Sequence, residues 1–193
     1  MNKIELYNLD LKTFTEQDVL DYCQINSINP YNIKELNLIN NELTDISGIR
    51  LFKNLKYLYL NNNKIKDISV TQYLKNLQSL NIDNNQIKDI SVLKDLNNLS
   101  YLNIDNNKIK DISVLKYLKE LSYLYISDTE IKDISVIKNL NNLNILGIEN
   151  LELESDQIQY IQLLNNLQTL WSLGSFKDIS VLKQLNKDIR IIK

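Results

Sequence analysis

The chain has 193 residues, 44% of them hydrophobic, enough for one elongated domain with a continuous core, and no linker or low-complexity break marks a second. Its 22 basic and 24 acidic residues leave a formal charge of −2 and a pI near 5.3, so there is no global attraction to nucleic acid or to an anionic membrane. Histidine is absent, which removes Ser-His and Cys-His nucleophile pairs and the commonest metal ligand, and the lone Cys23 excludes an internal disulfide framework.

From the N-terminus, Leu6, Leu9 and Leu11 predict a first strand over residues 4–11. Thr15 is placed as the N-cap of a helix, Phe14 and Val19 have the spacing of a hydrophobic staple, and Val19, Leu20 and Cys23 share its apolar face. Cys23 therefore reads as a buried small hydrophobe. Residues 1–29 form an expected N-terminal cap unit. Asp-Ile-Ser then recurs from Asp45, Asp67, Asp89, Asp111, Asp133 and Asp178, at intervals of 22 residues four times and 45 at the last. A fixed period of this size marks a solenoid whose units bury their apolar faces against neighbours.

The unit beginning at Leu74 has apolar residues at Leu77, Leu80, Ile82, Ile87, Ile90 and Leu93, and the unit from Leu96 repeats nearly all of them. This L-x-x-L-x-L-x-x-N-x-I pattern resembles the leucine-rich repeat, and its short length with Asp-Ile-Ser-x-Leu resembles the SDS22-like and internalin-like subclass. The resemblance spans about residues 3–193. It implies an α/β fold: a leucine-rich-repeat solenoid, a right-handed horseshoe or arc, with one parallel β-sheet on the concave face and short helical or 3-10 turns on the convex side. Seven repeats are expected over 30–184 and a C-terminal edge strand over 185–193.

Leu80 and Ile82 alternate with Ser79, Asn81 and Asp83, as in a strand with one buried face, and the same alternation predicts strands near 33–38, 55–60, 77–82, 99–104, 121–126 and 143–148. Asn41, Asn63, Asn85 and Asn107 fall in register after the strands and are expected to be buried amides that satisfy loop backbone groups. Each Asp of Asp-Ile-Ser is placed to cap a back-side turn. The asparagine column lapses at Thr129 and Leu151, the segment from Leu140 to Leu163 predicts a longer back-side helix, and the stretch 147–176 is expected to be irregular. Ile189, Ile191 and Ile192 predict the last strand, with Arg190, Lys187 and Lys193 guarding its edge.

Reading outward-pointing positions by register gives Tyr57, Tyr101 and Tyr123 in one column, Tyr59, Tyr125 and Trp171 in a second, and Asp83, Asp105 and Glu149 beside them. Aromatic side chains of this kind dominate protein interfaces, and the acids select a basic partner surface. Asp83 and Asp105 stand near enough in adjacent turns for one to raise the other's pKa or for both to hold a cation, but no third ligand type or polarised nucleophile converges, so they read as solvated acids on a binding surface. With only Gly48, Gly147 and Gly174 there is no phosphate-binding loop. The reading is a non-catalytic protein-binding module, a regulator or inhibitor covering a partner with its concave face, with no cofactor and no metal. The alternatives are an internalin-like host-interaction or adhesion module, and polyanion or RNA binding through a lysine ridge. That ridge comprises Lys66, Lys88, Lys110, Lys132 and Lys177, with Lys94, Lys116, Lys138 and Lys183 further on. Nucleic acid is disfavoured because no aromatic-basic surface is visible, and no membrane partner is implied. A monomer is expected, with an edge-strand dimer as the alternative. Residues 1–5 lack the apolar run of a signal peptide, so a cytoplasmic location is expected; segments missing from this sequence would leave export or surface display open.

Overall fold

The computed structural model describes residues 2–6, 9–185 and 188–192. The period-two alternation produces strands β1 Lys3–Glu5, β2 Glu35–Asn37, β3 Tyr57–Tyr59, β4 Ser79–Asn81, β5 Tyr101–Asn103, β6 Tyr123–Tyr125, β7 Ile145–Gly147, β8 Thr169–Trp171 and β9 Arg190–Ile192. Among the described residues these form one parallel sheet in chain order. The middle residue of each strand points into the solenoid, so Leu36, Leu58, Leu80, Leu102, Leu124, Leu146 and Leu170 make a fully buried column in register. Regular strand pairing covers three residues per turn, but turn-to-turn backbone bonds continue beyond it: the Leu38 amide donates to the Tyr59 carbonyl at 2.9 Å and that of Asn40 to Asn61 at 3.1 Å.

A parallel sheet leaves the loop after each strand with backbone groups that its own turn cannot satisfy. The asparagine column supplies the partners. Asn85 Nδ2 donates to the carbonyls of Ile82 (3.1 Å) and Asp83 (3.1 Å) in its own turn and of Leu60 (3.0 Å) in the preceding one, while its Oδ1 accepts from the Ile65 amide at 3.0 Å. Asn41, Asn63 and Asn107 repeat the scheme, and all four are buried. A second asparagine column lies past the back-side turns. Asn54, Asn76, Asn98, Asn142 and Asn166 each donate Nδ2 to a carbonyl of the preceding turn, at 2.7–3.1 Å.

On the back, five-residue 3-10 turns begin at Ser47, Ser69, Ser91, Ser113 and Ser135. The preceding Asp accepts from the Ser amide at 2.7–2.8 Å, which places the carboxylate one residue before the geometric cap, an Ile. Helix α1, Glu16–Ile25, lies near the N-terminus, and the insertion in the sixth turn becomes a 3-10 turn, Ser155–Gln157, running into helix α2, Ile158–Gln162. The lengthening stays on the back. Ile145 pairs with Thr169 and Thr169 with Arg190, so the step changes from 22 to 24 and then 21 residues without interrupting the sheet.

The N-terminal reading needs two corrections. The first strand is Lys3–Glu5, with Ile4 in register with Leu36; Leu9 then occupies the asparagine position and is 55% exposed, so residues 4–11 are not one strand. Helix α1 does start at Thr15, which exchanges hydrogen bonds with Asp18 in a capping box, and it buries Val19 and Cys23; Leu20, however, is 49% exposed and faces away from the core. The cap is held by Gly48. Its amide donates to the Phe14 carbonyl at 2.8 Å, and a Cβ there would lie 2.2 Å from the Thr15 carbonyl oxygen. The matching residues of later turns are Val70, Val92, Val114 and Val136, so glycine marks where the cap docks. At the other end Arg190 lies in β9, and Lys187 and Lys193 fall outside the described residues.

Replacing Asn85 by Ala orphans the Ile65 amide and leaves the Leu60 and Ile82 carbonyls with one side-chain donor each, from Asn63 and Asn107; it is expected to cost about 1–3 kcal/mol, read as a lower melting temperature and faster amide exchange at Ile65. Unchanged melting and exchange would contradict the role given to the column.

Candidate partner-binding surface

The strand residues flanking each buried leucine point to the opposite side of the sheet, which makes a face whose composition is set by two positions per turn. One column runs Tyr57, Ser79, Tyr101, Tyr123, Ile145 and Thr169; the other runs Tyr59, Asn81, Asn103, Tyr125, Gly147 and Trp171. The expected register therefore holds, but the aromatics do not form one continuous strip. Tyr101, Tyr123 and Tyr125 come together, with ring centroids 6.2 Å apart for Tyr101–Tyr123 and 5.7 Å for Tyr101–Tyr125. Tyr57 and Tyr59 are separated from that cluster by Ser79 and Asn81 of β4, and Trp171 by Ile145 and Gly147 of β7.

Gly147 explains how Tyr125 lies. A Cβ at that position would be 2.8 Å from the Tyr125 Cδ1 atom, so the ring leans across the glycine toward β7. Sequence reasoning noted this glycine only as the absence of a phosphate loop. Its place opposite an aromatic in the next turn was the signal available.

The acids occupy the column just past the strands. Asp83, Asp105 and Glu149 are only partly exposed, with Asn61 and Ser127 in the same column. Ser127 links the set: its amide donates to Asp105 Oδ1 at 2.5 Å and its Oγ accepts from the Glu149 amide at 3.0 Å. The reading of Asp83 and Asp105 as solvated acids is corrected by this packing. Burial pushes Asp105 up to about 7, against the bond from Ser127, and the charges of Asp83, Asp128 and Glu149 add to the rise. Burial also raises Asp83. Among the described residues none of Asp83, Asp105, Asp128 and Glu149 forms an ion pair. The Oδ1 atom of Asn61 is buried there without a hydrogen-bond partner. No group of three His, Cys, Asp or Glu among the described residues is arranged to hold a metal ion, and none of their helices is long and apolar enough to cross a membrane.

The lysine ridge divides in two. On the side of the Asp-Ile-Ser motifs, Lys110 pairs with Glu130 at 3.1 Å, Lys132 with Glu152 at 3.9 Å, and Lys177 with Glu154. Lys116 and Lys138 lie instead on the far side of the back turns, 5.0 Å from the Tyr117 ring centroid and 5.7 Å from that of Tyr160.

A family model described as leucine-rich repeats in two copies matches residues 31–72 and 75–117, the stretch with the most regular strands and the complete asparagine column. The fold is that of a leucine-rich-repeat solenoid. Its repeats resemble those of internalins among the solved structures. An internalin (inlF) from Listeria monocytogenes is 32% identical, with a TM-score of 0.80 over 97% of this chain; this leucine-rich-repeat chain spans 57% of that one. An internalin C2 (inlC2) from the same organism is 26% identical, with a TM-score of 0.81 over 99% of this chain and 80% of its own. The plant peptide hormone receptor RGFR1, in complex with RGF2, shares the fold alone, at 21% identity and a TM-score of 0.69 over 99% of this chain and 32% of its own. No curated protein sequence matches significantly.

Asp105 gives the leucine-rich-repeat face a pH signature. Its carboxyl moves from an ordinary 3.8 to about 7 on folding, so between those values the folded chain holds a proton that the unfolded chain releases. Stability is therefore highest below that window and falls as pH rises through about 7. Asp105→Asn removes the decline and is expected to stabilise the protein by about 1–2 kcal/mol near pH 8, allowing for partial solvent contact, with no gain near pH 4. Thermal melts at the two pH values check this; an equal shift at both would contradict it.

Proposed function

We propose that residues 1–193 act as one non-catalytic protein-binding module that regulates or inhibits a partner by covering a basic surface with the concave face. The carrying observation is the cluster of Tyr101, Tyr123 and Tyr125 beside acids that have no basic counter-charge within the described molecule. Tyrosines offer large contact area with few rotors, and unpaired acids at their margin favour a cationic partner. Tyr57, Tyr59 and Trp171 extend the contact to either side, while Asp83, Asp105 and Glu149 supply selectivity.

The second reading is an internalin-like host-interaction or adhesion module, favoured by the 32% identity to the internalin (inlF). Both readings use the same face and differ in where the chain works.

Capturing a partner and measuring rates against it tests the face. Tyr101→Ala, Tyr123→Ala or Tyr125→Ala is expected to weaken binding by about thirtyfold, while Asp105→Lys slows association and flattens its salt dependence. A basic partner lowers the Asp105 pKa on binding, so affinity should rise as pH is taken upward through about 7, and Asp105→Asn should lose that rise. Variants that fold normally and bind like the parent would refute the assignment.

A further inference from the structure

The flank leading from each back turn to the next strand carries a charge opposite to that of the whole molecule. Residues 50–56, 72–78, 94–100, 116–122 and 138–144 hold eight basic and two acidic side chains, a net of +6, against −2 for the full chain. Contacts between successive turns place these segments side by side: Lys75 pairs with Asp95 at 3.2 Å, Lys119 Nζ donates to the Asn139 carbonyl at 3.3 Å, and Asn76 Nδ2 donates to Asn54 Oδ1 at 3.4 Å. Arg50 is held by Glu16 of α1, and Asp95 is neutralised by Lys75. Glu120 is the other acid. Lys94, Lys116 and Lys138 remain as an exposed column, one charge per turn.

Aromatic rings are interleaved with these charges. Lys53 lies 4.8 Å from the Tyr73 ring centroid, Lys116 5.0 Å from that of Tyr117, and Lys138 5.7 Å from that of Tyr160. Tyr73 and Tyr117 are exposed, whereas the leucines of the same segments are buried or half-buried. The sequence shows no such surface because each lysine and its tyrosine partner sit among apolar residues, and the columns assemble only when the turns stack.

We propose that this flank binds single-stranded nucleic acid. A ladder of equivalent positive charges fits a ligand whose negative charge also repeats, and exposed tyrosines offer faces on which unpaired bases stack. An acidic protein segment has no fixed charge repeat, and an anionic membrane finds no exposed aliphatic side chain here to insert. The surface is separate from the concave face, so it stands or falls independently of the protein-binding reading.

The probe is a fluorescent oligothymidylate of about 20 nucleotides, titrated by anisotropy at several salt concentrations. Binding should weaken steeply with salt, and the triple change Lys94→Gln, Lys116→Gln, Lys138→Gln should reduce the slope of log affinity against log salt by about 2. Tyr73→Ala with Tyr117→Ala should weaken binding by about tenfold or more at fixed salt. Tyr101→Ala and Tyr125→Ala should leave it unchanged. All the flank changes are at exposed positions, and unchanged melting confirms that the variants fold. No binding at low salt overturns the proposal, as does binding that survives the lysine changes. Equal binding of a heparin fragment together with indifference to the tyrosine changes also overturns it, in favour of a generic polyanion surface.

Discussion

The hydrogen bond that a buried asparagine makes to the turn before it is the interaction on which the rest of this molecule depends. Leucines provide the burial, but leucine contact has no register of its own and would tolerate turns that slide or tilt. Asn63, Asn85 and Asn107 each tie a carbonyl of the previous turn to their own, so the sheet is locked in steps of 22 residues, and Asn41 does the same across the 32-residue step from the cap. Where the column changes, its effect changes with it. Thr129 and Ser175 stand at the same position, and each hydroxyl donates only to a carbonyl three residues earlier, Ile126 and Ser172. The local bond persists there; the bond between turns is lost. Leu151, between them, makes neither.

Locked register is what turns a repeated sequence into a surface. With every turn in step, positions two residues apart become columns, and a single glycine at 147 decides how the Tyr125 ring lies. The same stacking draws acids from four turns toward one another. Asp105 cannot relax away from Asp83, Asp128 and Glu149, since the Ser127 amide holds its carboxylate, and so its ionisation is opposed by burial and by like charge together. Such a site is poised to gain from a cation brought by a partner.

The fold was legible because it repeats: six Asp-Ile-Ser motifs and the alternation around Leu80 and Ile82 carry the strand register and the buried face without reference to tertiary structure. The cap was less legible. Leu9 mimics a repeat leucine but sits at the asparagine position, and only pairing of Ile4 with Leu36 reveals the shift. The candidate binding face was legible by column but not by contact. Ring distances, the Gly147 gap and the burial of Asp105 depend on how adjacent turns pack, and a period read along the chain contains no such information. The second asparagine column, at Asn54, Asn76 and Asn98, was written in the same 22-residue step; its role shows only once the carbonyl of the preceding turn is seen beside it.

If inter-turn asparagine bonds set the cooperativity of the solenoid, amide hydrogen exchange should divide the chain near Thr129. Buried amides from Leu38 to Ile109 should exchange together, through one large opening. Those beyond Ile131 should exchange faster and turn by turn, although the strand leucines Leu146 and Leu170 are as deeply buried as those before them. Uniform protection from Leu38 through Leu170 would contradict the account and assign the cooperativity to leucine packing alone.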